Sequence, residues 1–223
     1  IGGGEIGRPG YPIETTRIDR FIINATQKKH PKLLFIPTAS GDSDGYVQVV
    51  NKHFGKLGCH IDTLLLTHRP ALRHAKEKID NADIIYVGGG NTLTMLHWWK
   101  RYHMPALLKA AHEKGTILSG LSAGAICWFT YGHSDSWKFN NPKNPYIRLR
   151  CLDMVPGLLC PHYGQQRKSS LKHMMKRTKV GYALTNCAAM VVENNKAKVI
   201  TSQPDAVAYK VYWKDGRFHQ EPI

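Results

Sequence analysis

Short aliphatic runs separated by longer amphipathic segments set the rhythm of this chain. Residues 32–37 (Lys-Leu-Leu-Phe-Ile-Pro), 61–66 and 83–87 (Asp-Ile-Ile-Tyr-Val) are apolar stretches of strand length. Such runs mark strands covered on both faces. Between and after them apolar positions recur at helical spacing. This predicts helices from the turn at Gly41-Asp42-Ser43 to about Leu57, and over residues 71–79, 92–102 and 105–114. A strand at Thr116-Ile117-Leu118 leads into Gly-Leu-Ser-Ala-Gly-Ala at 120–125, and a helix is expected from there to about Phe129. A polar, Asn/Pro-rich loop over 132–145 follows, then strands near 157–160, 189–192, 198–201 and 206–213. This alternation predicts one α/β domain across residues 1–223, built on a parallel sheet with helices on both faces. In such sheets ligands gather at the carboxyl ends of the strands. Three loops converge there: residues 38–44, residues 88–92 and the turn at Ser122.

Composition narrows the classes. A chain of 223 residues can bury one sizeable core. It contains no run of eighteen apolar residues, so no membrane span is expected. The opening Ile1-Gly2-Gly3-Gly4 has neither the basic nor the apolar segment of a secretory leader. The expectation is a cytoplasmic protein whose first strand is partly cut away. The odd number of cysteines (Cys59, Cys127, Cys151, Cys160, Cys187) reads as reduced core thiols, with neither a disulfide framework nor a metal site. The net charge is +15, with basic residues clustered at 28–30, 68–78 and 168–179. These segments are amphipathic and the charge is their solvated face. No zinc-finger, RNP or helix-turn-helix signature accompanies them, so specific nucleic-acid binding is not expected. The charge would instead favour acidic substrates. Trp98, Trp99 and Trp137 read as core, pocket lining or the contact of a homodimer.

The chemistry centres on Ser122. A strand ending in G-x-S-x-G and turning sharply into a helix exposes its serine, with Gly120 and Gly124 relieving the clashes of the turn. A serine hydroxyl needs a base, and the base needs a third group to orient it. Of twelve histidines, His162 follows an apolar strand and would emerge at a strand end, which makes it the leading base. Gly88-Gly89-Gly90-Asn91 either donates amides to an oxyanion or makes a tight strand-to-helix turn. Gly2-x-Gly4-x-x-Gly7, with Asp19 farther on, matches G-x-G-x-x-G; a glycine-rich turn explains it as well as a dinucleotide site does.

Gly88-Gly89-Gly90-Asn91-Thr92, Gly120-Leu121-Ser122-Ala123-Gly124-Ala125 and Pro161-His162-Tyr163, in that order and spacing, resemble the peptidase E (aspartyl dipeptidase) family, which includes cyanophycinases. The N-terminal glycine-rich turn and Ile36-Pro37-Thr38-Ala39-Ser40 extend the likeness along most of the chain. The resemblance implies a fold related to class I glutamine amidotransferases (flavodoxin-like), with a nucleophile elbow carrying serine in place of cysteine. It implies cytosolic hydrolysis of short peptides without metal or other cofactor. By this likeness Ser122 attacks, His162 is base and then acid, and the amides of Gly90 and Ala123 hold the oxyanion. The family's third member is a glutamate, but residues 181–188 hold no carboxylate and Asn186 stands in its place. Asp135 fits the order Ser, Asp, His and is assigned as third member or substrate contact. Asn91 and Arg167 are assigned to substrate, Arg167 as the cation for an N-terminal aspartate. Two alternatives remain: an α/β-hydrolase-type esterase, whose C-terminal histidine would be His219, and a binding protein that kept the fold and lost turnover.

Overall fold

The structure is a computed structural model describing residues 1–194 and 196–223. Its elements run α1 (Thr16–Asn24), β1 (Lys32–Ile36), α2 (Asp44–Lys56), β2 (His60–Thr63), α3 (Leu72–Asp80), β3 (Ile84–Val87), α4 (Thr92–Arg101), α5 (Met104–Glu113), β4 (Ile117–Gly120) and α6 (Ala123–Ile126). They continue with β5 (Phe129–Ser134), β6 (Ile147–Arg150), β7 (Val155–Cys160), α7 (Gln165–Met174), β8 (Gly181–Leu184), β9 (Ala188–Glu193), β10 (Lys196–Thr201), β11 (Ala208–Lys214) and β12 (Arg217–Pro222).

Strand side chains alternate between faces, and β1 and β3 use both. Leu34, Ile36, Ile85 and Val87 join one apolar cluster with Ala75 and Ile79 of α3, Met95 and Trp99 of α4 and Leu108 of α5. Their neighbours Leu33, Phe35, Ile84 and Tyr86 pack on the other side with Ile18 and Ile22 of α1 and Val50 and Phe54 of α2. Covered faces on both sides explain the continuous apolar runs.

The single parallel sheet expected from the sequence is replaced by two sheets and a hairpin. One sheet is all parallel, in the order β2-β1-β3-β4. The other is mixed, β12-β11-β8-β7-β5-β6, with β5–β7 and β7–β8 parallel and its other pairings antiparallel. β9 and β10 form the hairpin. Residues 1–3 knit the sheets together. The Ile1 nitrogen donates to Gly120 and the Ser122 amide to Ile1, while Gly2 donates to Ala188 and the His162 amide to Gly2.

Two further expectations change. The helix after Ser122 ends at Ile126, not near Phe129. The carbonyls of Cys127 and Trp128 are already taken by the amides of Leu152, Met154 and Val155, so this backbone feeds a sheet. Gly132 and His133, expected in a loop, lie inside β5. The loop starts at Asp135. Among the described residues no helix is long and apolar enough to cross a membrane.

Candidate active site

β1, β3 and β4 run parallel, so their carboxyl ends lie together, and so do those of β7 and β8. Ser122 follows the end of β4 with φ 56 and ψ −109. For a residue with a Cβ this is sparsely populated backbone, costing on the order of 1–3 kcal/mol. The surroundings impose it. A Cβ on Gly120 would run into the Gly124 carbonyl, and one on Gly124 into the Val87 carbonyl. Only the two glycines let the chain fold back this tightly around the serine.

His162 follows β7 with φ 48. Its amide donates to Gly2 and the next amide, of Tyr163, donates to Leu184, so the backbone is held on both sides. Its ring joins two side chains. His162 Nδ1 lies 2.7 Å from Asn186 Oδ1, and Nε2 lies 2.8 Å from Ser122 Oγ. A carbonyl oxygen only accepts, so Nδ1 carries the proton and Nε2 accepts from the serine hydroxyl. Burial, the largest influence, lowers the His162 pKa below its ordinary value of 6.5; the Asn186 hydrogen bond opposes this and Arg167 adds to it. The ring is therefore a neutral acceptor at neutral pH. Gly3 backs the pair, since a Cβ there would strike both Asn186 Oδ1 and the His162 ring.

The Gly88–Gly90 turn closes the other side of Ser122; a Cβ on Gly89 would lie 3.5 Å from Ser122 Cβ. Among the described residues the amides of Gly90 and Ala123 make no hydrogen bond. Asn91 caps α4, accepting from Thr94, and its Nδ2 donates to the Ser136 carbonyl.

Asp135 does not meet His162. Its carboxylate takes Arg167 Nη2 at 2.7 Å, and His162 Nδ1 donates instead to Asn186 Oδ1. Arg167 is buried, with its guanidinium 4.7 Å from the Tyr146 ring centroid. Its Nη1 donates to His133 Nδ1 at 3.2 Å, and His133 Nε2 donates to Ser170 Oγ at 2.7 Å. Burial and the Arg167 charge push the His133 pKa down to about 3. Nothing in the sequence pattern distinguished His133, or Tyr46, whose hydroxyl meets this site from α2.

Other expectations resolve differently. Gly2, Gly4 and Gly7 do not open a helix, since α1 begins only at Thr16. Asp19 is buried against Thr15 and His53. His219 lies in β12, stacked on Tyr212. Trp99 is fully buried, whereas Trp137 is exposed. Among the described residues, four of the clustered basic side chains make ion pairs: Lys28 with Asp83, Arg73 with Glu77, Lys76 with Asp80 and Lys78 with Asp62. A cleft of about 750 Å³ between α1 and β10 lies apart and holds none of these site residues. Among the described residues no cluster of three or more His, Cys, Asp or Glu side chains is placed to hold a metal ion.

The family model described as Peptidase family S51 matches residues 1–200. The uncharacterised peptidase YgaJ of Bacillus subtilis (strain 168) is 32% identical over an alignment of 230 residues, spanning 100% of this chain and 95% of that protein. Peptidase E of Pasteurella multocida (strain Pm70) is 30% identical over 179 residues, spanning 74% and 73% of the two chains. The solved structure of a peptidase from an acI-B1 Actinobacterium matches with a TM-score of 0.71 at 18% identity, over 100% of this chain and 94% of that one. That last likeness is one of fold.

Proposed function

The chain belongs to peptidase family S51, a serine peptidase of the peptidase E kind, and from that premise we propose that it cleaves short peptides through an acyl-enzyme on Ser122. The observation that carries the reading is the relay from Ser122 Oγ to His162 Nε2 and from His162 Nδ1 to Asn186 Oδ1; we read the strained turn at Ser122 as a nucleophile elbow of the glutamine amidotransferase-like type.

In the proposed reaction the Ser122 proton passes to His162 Nε2 as Oγ attacks the scissile carbonyl carbon. The carbonyl π pair moves onto oxygen, which the amides of Gly90 and Ala123, unpartnered among the described residues, stabilise. Collapse of this intermediate breaks the C–N bond, and the Nε2 proton leaves with the amine. Water then attacks the ester carbonyl and gives its proton to His162 Nε2; collapse breaks the C–Oγ bond, that proton returns to Oγ, and the acid leaves. Asn186 holds the productive tautomer and orientation of the ring. It cannot stabilise the imidazolium by charge as a carboxylate would, so turnover is expected to be slower than in a site with an acid there.

Asn91 and the Asp135–Arg167 pair, whose charges reach His162, are assigned to the substrate side in this reading. Arg167 is buried and already faces Asp135, so preference for an N-terminal aspartate is expected to be modest rather than strict. The test is amino-acid release from a panel of Asp-X and non-Asp dipeptides by wild type and Ser122→Ala. Turnover confined to the wild type supports the proposal. Equal turnover by both proteins refutes it.

A further inference from the structure

The triple-glycine turn poses a problem of orientation. Glycine backbone has the widest conformational freedom, so three in a row would let the peptide planes rotate unless something fixes them. Three of the four amides from Gly88 to Asn91 are pinned. Gly88 donates to the Ile36 carbonyl at 3.1 Å, Gly89 to the Tyr46 hydroxyl at 3.1 Å, and Asn91 to the Ala39 carbonyl at 2.7 Å. Gly90, between the last two, is left with its amide unpartnered among the described residues. Two of the clamps are main chain and come with the fold. The third is a side chain on α2, far from Ser122 in sequence.

We propose that Tyr46 is a positioning residue for hydrolysis, fixing the Gly89 peptide plane so that the neighbouring Gly90 amide is held ready for the oxyanion. The inference rests on the Ser122 reading above.

Tyr46 is itself well held. Its ring packs edge-on to Phe35 at 5.1 Å between centroids, and a Cβ on Gly88 would approach its Cε1 to 2.9 Å. Burial pushes the phenol up to about 12, so the hydroxyl stays a neutral acceptor throughout the working range of pH. Preorganised donors stabilise an oxyanion because they need no reorganisation during the reaction. Releasing one clamp of a glycine turn gives that reorganisation back.

Tyr46→Phe tests this, keeping the ring and its packing and removing only the hydroxyl. On a peptide turned over by wild type, kcat should fall by roughly 10- to 100-fold, less than or comparable to outright loss of an oxyanion donor. KM should stay within about twofold, because the clamp serves the transition state rather than substrate binding. A peptide aldehyde, whose hemiacetal with Ser122 mimics the tetrahedral intermediate, should lose affinity in step with kcat. The acidic limb of the pH profile, set by His162, should not move. A kcat within about twofold of wild type, or a loss carried by KM or by a moved limb, overturns the inference. Ser122→Ala run alongside separates the two ideas. Turnover surviving in Ser122→Ala overturns the Ser122 reading and the inference with it, whereas activity lost there but kept in Tyr46→Phe overturns the role of Tyr46 alone.

Discussion

Replacing Asn186 with aspartate puts a negative charge where a neutral carbonyl now accepts the Nδ1 proton of His162 at 2.7 Å. With charge centres about 4 Å apart, the attraction to an imidazolium is about 1 kcal/mol in water-like surroundings and about 4 kcal/mol at an effective dielectric constant of 20. One pH unit corresponds to about 1.4 kcal/mol, so the His162 pKa should rise by about 0.8 to 3 units. Asn186 is exposed, which favours the lower end, near about 1 unit. In the wild type burial holds that pKa below 6.5. His162 works as a base only when neutral, so activity rises as pH climbs through its pKa and then levels off. Asn186→Asp should therefore move the acidic limb of kcat/KM to higher pH, costing activity in mild acid. At the plateau kcat should hold or rise, since the new carboxylate stabilises the imidazolium formed during attack. A limb that moves by less than about 0.3 unit would mean that Asn186 does not act on the titrating base, and the relay would be wrong.

Two other perturbations probe the same geometry and its support. Gly3→Ala should leave the protein folded but lower kcat by at least about tenfold, because the added methyl displaces the Asn186–His162 pair and small misplacements of catalytic groups are costly; steady-state kinetics with undiminished kcat would contradict this. His133 is fully buried with its pKa held down at about 3, while an unfolded histidine titrates near 6.5. As pH falls the unfolded chain takes up that proton first, so the associated stability is complete above about 6.5 and is lost as pH falls below it toward 3. Urea unfolding should show a loss of about 2 kcal/mol from this residue between pH 7 and 5, with a shallower dependence in His133→Asn; an unchanged slope would contradict it.

The central strands β1 and β3 were legible in the sequence because their burial is nearly complete. β1 and β3 are apolar on both faces and therefore read as continuous runs, and the glycines around Ser122 mark backbone that no larger residue can occupy. α1 escaped because Asp19, fully buried against His53, interrupts its apolar face. β6 (Ile-Arg-Leu-Arg) and β12 are edge strands with much of their surface in solvent, and their polar residues mask the strand period. This hid the mixed second sheet. In the site, Ser122, His162 and both alternatives for the third position were visible as residue types. Choosing between Asp135 and Asn186 needed three dimensions, because Arg167 claims the carboxylate only once α7 packs beside β5. The role of Tyr46 depends on how α2 meets the Gly88–Gly90 turn, and one tyrosine on an amphipathic helix carries no such signal.

The central claim is that Ser122 is a nucleophile activated by His162, and covalent labelling tests it most directly. Wild type, Ser122→Ala and His162→Ala would be treated with a fluorophosphonate, digested and mapped by mass spectrometry. The expected result is a single adduct on the peptide containing Ser122, absent from Ser122→Ala and strongly slowed in His162→Ala. Peptide turnover by wild type with no adduct at Ser122, or an adduct on another residue that tracks loss of activity, would contradict the account.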